Sequence, residues 1–280
     1  MKDQIIRLLQ RRQHIVRERL ALKFIPSLPC KTEFLNPLTD KALAEIFDRV
    51  EIRQEWAQAE DVLMRLCQIE DGKTGGVNPG DRRALWYLIK GFRPRSVLEI
   101  GTHVGASTLH IAAALQSNAR KEPSIAPRLV TVDVEDVNNE VSGYWKRSAL
   151  QASPKTMVQS IGCEAFVQFV TDNSLTYLDG SKERYDFIFL DGDHSATTVY
   201  QEIPRALNVL TRAGLILLHD YFPKNRPLWS NGSVVPGPYI AVTRLRSEDA
   251  AIKVIPLGDL PWDTKLNSRT TSLALIARHG

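Results

Sequence analysis

One pattern constrains this chain more than any other. From residue 95 onward, short apolar runs rich in β-branched residues alternate with stretches long enough for a crossover helix. The runs cover 96–100, 128–134, 165–171, 185–191 and 214–220, with two more at 252–257 and 271–278. Several are apolar almost throughout, as strands covered on both faces must be. Strands and helices alternating at this spacing form an open parallel α/β sheet. The last two runs are close in sequence, which suits an antiparallel pair at one edge. The expected fold is a Rossmann-like, doubly wound sheet of seven strands, the last antiparallel, with an N-terminal helical extension.

The first 90 residues have a different texture. Ile5, Ile6, Leu9, Val16 and Leu20 make a rough helical stripe with arginines between them. Pro26, Pro29 and Pro37 interrupt it. A second helical stretch spans about 40–69, carrying Leu43, Ile46, Phe47, Val50, Trp56, Leu63 and Leu66. Residues 71–76 read as a loop, and Asp81 as the cap of a short helix that Gly91 stops. The division expected is a helical extension over 1–74, serving as lid or oligomerisation layer, and an α/β domain over 75–280.

Composition matters through its distribution. The 280 residues carry 36 Lys+Arg against 32 Asp+Glu, a formal charge of +4. Residues 1–24 hold seven cations (Lys2, Arg7, Arg11, Arg12, Arg17, Arg19, Lys23) and two anions (Asp3, Glu18). The basicity therefore belongs to one short segment, and the body is close to neutral. That segment could bind nucleic acid or an acidic membrane surface, cover the site or another subunit as an amphipathic helix, or simply be solvated. Its apolar stripe favours docking on protein, and nothing resembling an RNA-binding module accompanies it. No window is apolar over ~18 residues, and the N-terminus lacks the apolar core of a secretion signal. Cys30, Cys67 and Cys163 form no C-x-x-C pair, so neither a zinc site nor a disulfide framework is indicated. A reducing, cytoplasmic setting fits.

The most informative stretch is Val97-Leu98-Glu99-Ile100-Gly101-Thr102-His103-Val104-Gly105-Ala106-Ser107-Thr108. A buried strand ends at Ile100, and Leu109, Ile111, Ala112 and Leu115 begin a helix. Ligands of open α/β sheets lie beyond the carboxyl ends of the strands, and glycines there let a ligand approach the backbone. The G-x-G-x-x-G of a pyrophosphate turn is absent. Glu99 at the turn suits a cationic ligand better than a pyrophosphate.

This E-x-G-x-x-x-G resembles motif I of class I S-adenosylmethionine-dependent methyltransferases. The Gly-Ala-Ser-Thr that follows is similar to the branch of catechol O-methyltransferase-like, small-molecule and sugar O-methyltransferases. Later segments match in order: Thr131-Val132-Asp133, Asp172-Asn173-Ser174, Asp191-Gly192-Asp193-His194 and His219-Asp220. The resemblance covers about 75–280. It implies S-adenosylmethionine as cofactor and the hydroxyl of a small molecule as acceptor. Gly76, Val77, Glu99, Gly101, Thr102, Gly105 and Ser107 would serve the amino-acid end of the cofactor, Asp133 the ribose, and Asp172, Asn173 and Ser174 the adenine. Asp191 would face the cofactor too. A homodimer is what relatives suggest.

Methyl transfer needs alignment of nucleophile and methyl group, and a hydroxyl must also lose its proton, to a base or with help from a metal. Asp191, Asp193, His194, His219 and Asp220 follow two strand ends that should be neighbours. In the resembling enzymes the acid ending the fourth strand and a polar pair ending the fifth hold a divalent metal. Those positions are Asp191 and His219-Asp220, which would take Mg²⁺ or, with the histidine, Mn²⁺, Fe²⁺ or another transition metal. Catechol-type members have Asp-Asn in the pair and sugar-type members two acids. Here Asp220 is the only carboxylate in it. His194 stands where catechol-type members carry a lysine, and imidazole is a competent general base near neutral pH. Asp193-His194-Ser195 could equally just open the next helix, in which Pro204 should force a kink or a new turn. Of the remaining histidines, His103 lies in the first loop and His110 on the helix after it.

The segment 221–238, with four prolines and Trp229, is either a substrate wall or a surface loop with one anchoring tryptophan. The stretch around Trp262 is a second candidate wall. Three rivals to a metal-assisted O-methyltransferase stay open: a metal-independent O- or N-methyltransferase, a nucleotide-dependent oxidoreductase, and a non-catalytic binding protein.

Overall fold

The computed structural model describes residues 2–67, 76–124 and 126–278. The expected loop at 71–76, apart from Gly76, and the proposed boundary at 74 lie outside the described residues, as do the side chains of the first eight positions. In chain order the elements are α1 (Lys2–Lys23), α2 (Asp40–Asp48), α3 (Val50–Leu66), α4 (Pro79–Phe92), β1 (Ser96–Ile100), α5 (Ala106–Lys121), β2 (Arg128–Asp133), α6 (Tyr144–Arg147), α7 (Pro154–Ser160), β3 (Val167–Thr171), α8 (Ser174–Gly180), β4 (Tyr185–Leu190), α9 (Ala196–Asn208), β5 (Leu210–Leu218), α10 (Gly237–Glu248), β6 (Ile252–Pro256) and β7 (Ala274–Arg278).

The strands form one seven-stranded sheet in the order β3-β2-β1-β4-β5-β7-β6. β1 lies parallel between β2 and β4, with Leu98 beside both Val130 and Ile188. β7 runs antiparallel to β5 and to β6. The expected C-terminal pair is therefore real, but β7 sits inside the sheet and β6 takes the edge. The strand order reverses around β1 and β4, and their carboxyl ends flank the crevice where open α/β sheets bind ligands.

Alternation along the strands builds two cores. Val97, Leu129, Phe187, Phe189, Leu215 and Leu217 face one side, where α2, α3, α4 and α5 supply Ile46, Trp56, Leu85 and Leu109. Leu98, Val130, Ile188 and Ile216 face the other, against α9, α10 and α1. The N-terminal helices are therefore not one layer. α1 and the α2–α3 pair cover opposite faces of the sheet. The segment joining them passes the sheet's end, where Asn36 N–H donates to the Gly214 carbonyl and Arg278 N–H to that of Asn36.

Local signals explain the element ends. The expected helix over 40–69 is two helices, because Arg49 is extended (φ −63°, ψ 117°) between them. The turn lets Phe47 meet Tyr87 and Trp262 while Trp56 meets Trp86. α4 is capped by Asn78, not Asp81: the Asn78 side chain accepts from Asp81 N–H, and Pro79 fills the first helical position, where a missing N–H costs nothing. α9 runs through Pro204 as one helix.

Candidate active site

The carboxyl ends of β1, β2, β3 and β4 open on a cleft of about 480 Å³. Its floor is the β1–α5 turn. Gly101 has φ +97°, and a Cβ there would collide with the Asp191 carbonyl, so the turn lies directly against the end of β4. Thr102, His103 and Ser107 line the cleft from this turn, and Gly76 and Val77 close one end. Asp133 lines it from β2. Its Oδ2 accepts from His103 N–H at 2.8 Å and its Oδ1 from Glu135 N–H at 3.0 Å. Each oxygen keeps a lone pair for a diol. Asp172, Asn173 and Ser174 close the far end, and Asp191, Gly192, Asp193 and His194 form the wall from β4.

Two expected cofactor residues are not in this lining. Glu99 is fully buried behind the floor. Its Oε2 accepts from the hydroxyls of Thr108 (2.5 Å) and Thr131 (2.6 Å), and Thr131 in turn pairs with Thr102. Burial pushes the carboxyl up to about 7 against the pull of the Ser107, Thr108 and Thr131 hydroxyls. Glu99 thus shapes the turn from behind. Gly105 starts α5 at φ +77°, and a side chain there would strike Pro154. The missing side chain makes room for α7. Ser174 does not cap α8, since Asn173 does.

Around Asp191 the charged groups crowd. His219 Nδ1 lies 2.7 Å from Asp191 Oδ1 and 3.8 Å from Asp220 Oδ1, while Nε2 faces Asp81 Oδ2 at 3.3 Å. Asp81, on α4, is buried and also accepts from Thr271 Oγ1 and Asn78 Nδ2. Burial alone would lower the His219 pKa, but the carboxylates of Asp191, Asp220 and Asp81 hold it well above the usual imidazole range. His194 lines the cleft a third exposed, with Nε2 3.5 Å from Asp220 Oδ2 and 3.9 Å from Asp191 Oδ1. Asp220, two residues past β5, is in the left-handed region (φ 52°) and accepts from Ser272 Oγ. Asp193 accepts from Ser195 and Thr198, and Ser195 caps α9.

The metal expectation meets an obstacle in these distances. Nδ1 of His219 faces Asp191 and Asp220 and Nε2 faces Asp81, so the ring stands between the acids that would share a cation. Among the described residues no group of three His, Cys, Asp or Glu side chains is arranged to hold a metal ion. Asp191, His219 and Asp220 come together, but as an ion-pair cluster.

The two expected walls are not walls of this cleft. Phe222 and Trp229 are buried edge-to-face against each other, and Trp229 Nε1 donates to the Thr270 carbonyl. Trp262 packs on Tyr87 and donates to the Gly80 carbonyl. Both tryptophans anchor loops. His110 is buried, stacked on Trp56, and burial lowers its pKa to about 3.

A methyltransferase-domain family model matches residues 98–221, which span β1 to the end of β5 and every strand end in the cleft. The chain carries a methyltransferase domain, of the class I S-adenosylmethionine-dependent type. The relatives of this methyltransferase include the caffeoyl-CoA O-methyltransferase of Stellaria longipes, 22% identical over 204 residues, covering 66% of this chain and 73% of the plant enzyme. A probable caffeoyl-CoA O-methyltransferase of Dictyostelium discoideum is 23% identical over 64% of this chain and 73% of its own. The fold is shared with an O-methyltransferase from Bacillus cereus solved with SAH (TM-score 0.52, 19% identity, 86% of this chain and 91% of that one). It is also shared with the O-methyltransferase TomG of Streptomyces achromogenes solved with SAM (TM-score 0.53, 15% identity, 90% and 100%). Asp81 and Tyr144 are the site residues that sequence reasoning passed over. Asp81 read as a helix cap, and Tyr144, tilted against His103 with ring centroids 4.5 Å apart, sits in a segment without a motif.

Proposed function

We propose that this methyltransferase acts on a hydroxyl of a small molecule, with His194 as general base. The observation that carries the reading is His194 itself: an imidazole on the cleft wall, with Nε2 3.5 Å from Asp220 Oδ2 and 3.9 Å from Asp191 Oδ1. An imidazole within reach of a bound hydroxyl can take its proton as methyl transfer proceeds. The O-methyltransferase names of the relatives agree with a hydroxyl acceptor.

The cleft residues fit S-adenosylmethionine, which when bound supplies a methyl group activated by a sulfonium. Gly76, Val77, Thr102 and Ser107 would hold its amino-acid end, Asp133 its ribose diol, and Asp172, Asn173 and Ser174 its adenine. Glu99 and Gly105 would act on this site only through the turn. No Lys or Arg lines the cleft among the described residues, while four aspartates do, a field that suits a cation.

The ion-pair cluster around His219 supports transfer without a metal. One observation favours the metal-assisted alternative: Asp191 and Asp220 both approach His219 Nδ1, so a turn of that ring would leave two carboxylates facing one point. A chelator separates the two. Methylation of a panel of catechols and other hydroxyl acceptors, followed by S-adenosylhomocysteine release, should survive EDTA and fall by about 10²-fold or more in kcat in His194→Ala, the range of one general base. Unchanged kcat in His194→Ala would remove the base from the proposal, and loss of activity with EDTA would restore the metal. The proposal includes a homodimer, since Leu9, Val16 and Leu20 leave an apolar line exposed on α1. Light scattering on the purified protein tests it.

A further inference from the structure

Among the described side chains of α1, Glu18 is the only acid, and it points inward. Arg12, Arg17, Arg19 and Lys23 are exposed, whereas the Glu18 side chain is 13% exposed. Ile15 and Leu22 lie on the same helix face and pack in the core shared with α9 and α10. Their docking carries Glu18 to the start of α9. There its Oε2 accepts from Ala196 N–H at 2.6 Å. Its other oxygen faces His14 Nε2, one turn earlier, at 3.4 Å.

Ala196 is the first residue of α9, so its N–H has no acceptor within the helix. The Ser195 cap serves Thr198 N–H instead. The peptide before it is held as closely. Ser195 N–H donates to Asp193 Oδ1 at 2.9 Å, and a Cβ on Gly237, the first residue of α10, would strike the His194 carbonyl. The turn itself, α1 and α10 therefore fix two consecutive peptides, and the residue they fix is His194. Its ring has no close bond of its own: Nε2 is 3.5 Å from Asp220 and 3.9 Å from Asp191, long for hydrogen bonds. The backbone, more than any side-chain partner, sets where the imidazole stands.

We propose that Glu18 is a positioning residue for methyl transfer: by accepting from Ala196 N–H, it locks the turn that aims the His194 imidazole at the acceptor hydroxyl. The inference rests on His194 being the general base. Proton transfer tolerates little displacement of the base, since a shift of about 1 Å can cost on the order of 10²-fold in rate. Glu18 touches neither cofactor nor acceptor. It lies outside the residues that line the cleft and acts only through the backbone. The first helix of the chain thereby contributes to the chemistry at the end of β4.

The test assays the full chain on catechols and other hydroxyl acceptors. Glu18→Met keeps the length and removes the hydrogen-bond acceptor. It should lower kcat by about tenfold, part of what one general base supplies, and leave S-adenosylhomocysteine affinity unchanged in calorimetric titration. Glu18→Gln, whose amide oxygen still accepts, should keep more of kcat than Met. In a His194→Ala background Glu18→Met should cost nothing further, because the ring it acts through is gone. A merely structural Glu18 would lower the melting temperature with kcat intact, or weaken kcat and S-adenosylhomocysteine affinity alike. Either result overturns the proposal, as does an undiminished loss in the His194→Ala background. Unchanged kcat in His194→Ala alone overturns the base reading instead. NMR of isotope-labelled histidines in the S-adenosylhomocysteine complex reads the ring without any acceptor. The His194 signal should shift in Glu18→Met while that of His110 stays, and an unmoved His194 signal overturns the positioning role. If the Met variant does not fold, Glu18→Ala removes the same acceptor and is read the same way.

Discussion

At the scale of single residues, the site is decided by where carboxyl protons are held. Glu99 is the clearest case, since its folded-state value of about 7 lies above the 4.5 of an ordinary glutamate. Between pH 4.5 and 7 the unfolded chain gives up a proton that the folded chain keeps. Stability is therefore fully present below that window and is lost as pH rises through it, by at most about 1.4 kcal/mol per pH unit from this group. Glu99→Gln mimics the protonated acid and lacks this slope. Thermal melts at pH 4.5, 6 and 8 should show the variant gaining on the wild-type protein with rising pH. A constant difference would mean that Glu99 is ionised throughout. The motif around Glu99 was legible in the sequence, but its place behind the floor was not. Whether a side chain at a strand end points into a cleft or under it depends on what packs beneath, here Thr108 from α5 and Thr131 from β2.

At the scale of elements, the starts of α4 and α5 set the geometry of the two cleft ends. Asn78 caps α4 and also donates to Asp81, which faces His219. Asn78→Ala should cost about 1 kcal/mol through the lost cap, read in chemical denaturation, and should lower kcat more than S-adenosylmethionine affinity because Asp81 is loosened. Equal losses in both would detach Asp81 from the His219 cluster. Gly105→Ala meets both a left-handed backbone and Pro154. It should destabilise by about 1–3 kcal/mol, measured by denaturation, including when the cofactor is absent. All seven strands were readable as runs, because buried strands are apolar by necessity. The insertion of β7 between β5 and β6 was not, since two adjacent runs can pair with either one at the edge.

At the scale of the molecule, α1 is built into the fold rather than appended to it. Leu22 is buried in the core against α9 and α10, Arg244 holds the carbonyls of Leu22 and Ile25, and Glu18 Oε2 accepts from Ala196 N–H at the start of α9. Deleting residues 1–24 should therefore lower the melting temperature by several degrees and leave α9 without that acceptor, two residues from His194. Differential scanning calorimetry and kcat on the same protein check both effects. An unchanged melting temperature would show that α1 contributes nothing to the packed body. The body's near-neutral charge and the basic first 24 residues were fixed by composition, and so were the strand runs, the glycine turn and the acids at the strand ends. These are local properties: periodicity, backbone freedom and residue type need no partner to be recognised. Tertiary structure alone decided that Asp81 meets His219 across 138 positions, that α1 and α2–α3 cover opposite faces, and that His219 answers to carboxylates rather than standing free. Each of these is a choice between distant segments for the same space, and it is settled only when the whole chain competes for burial and for hydrogen-bond partners.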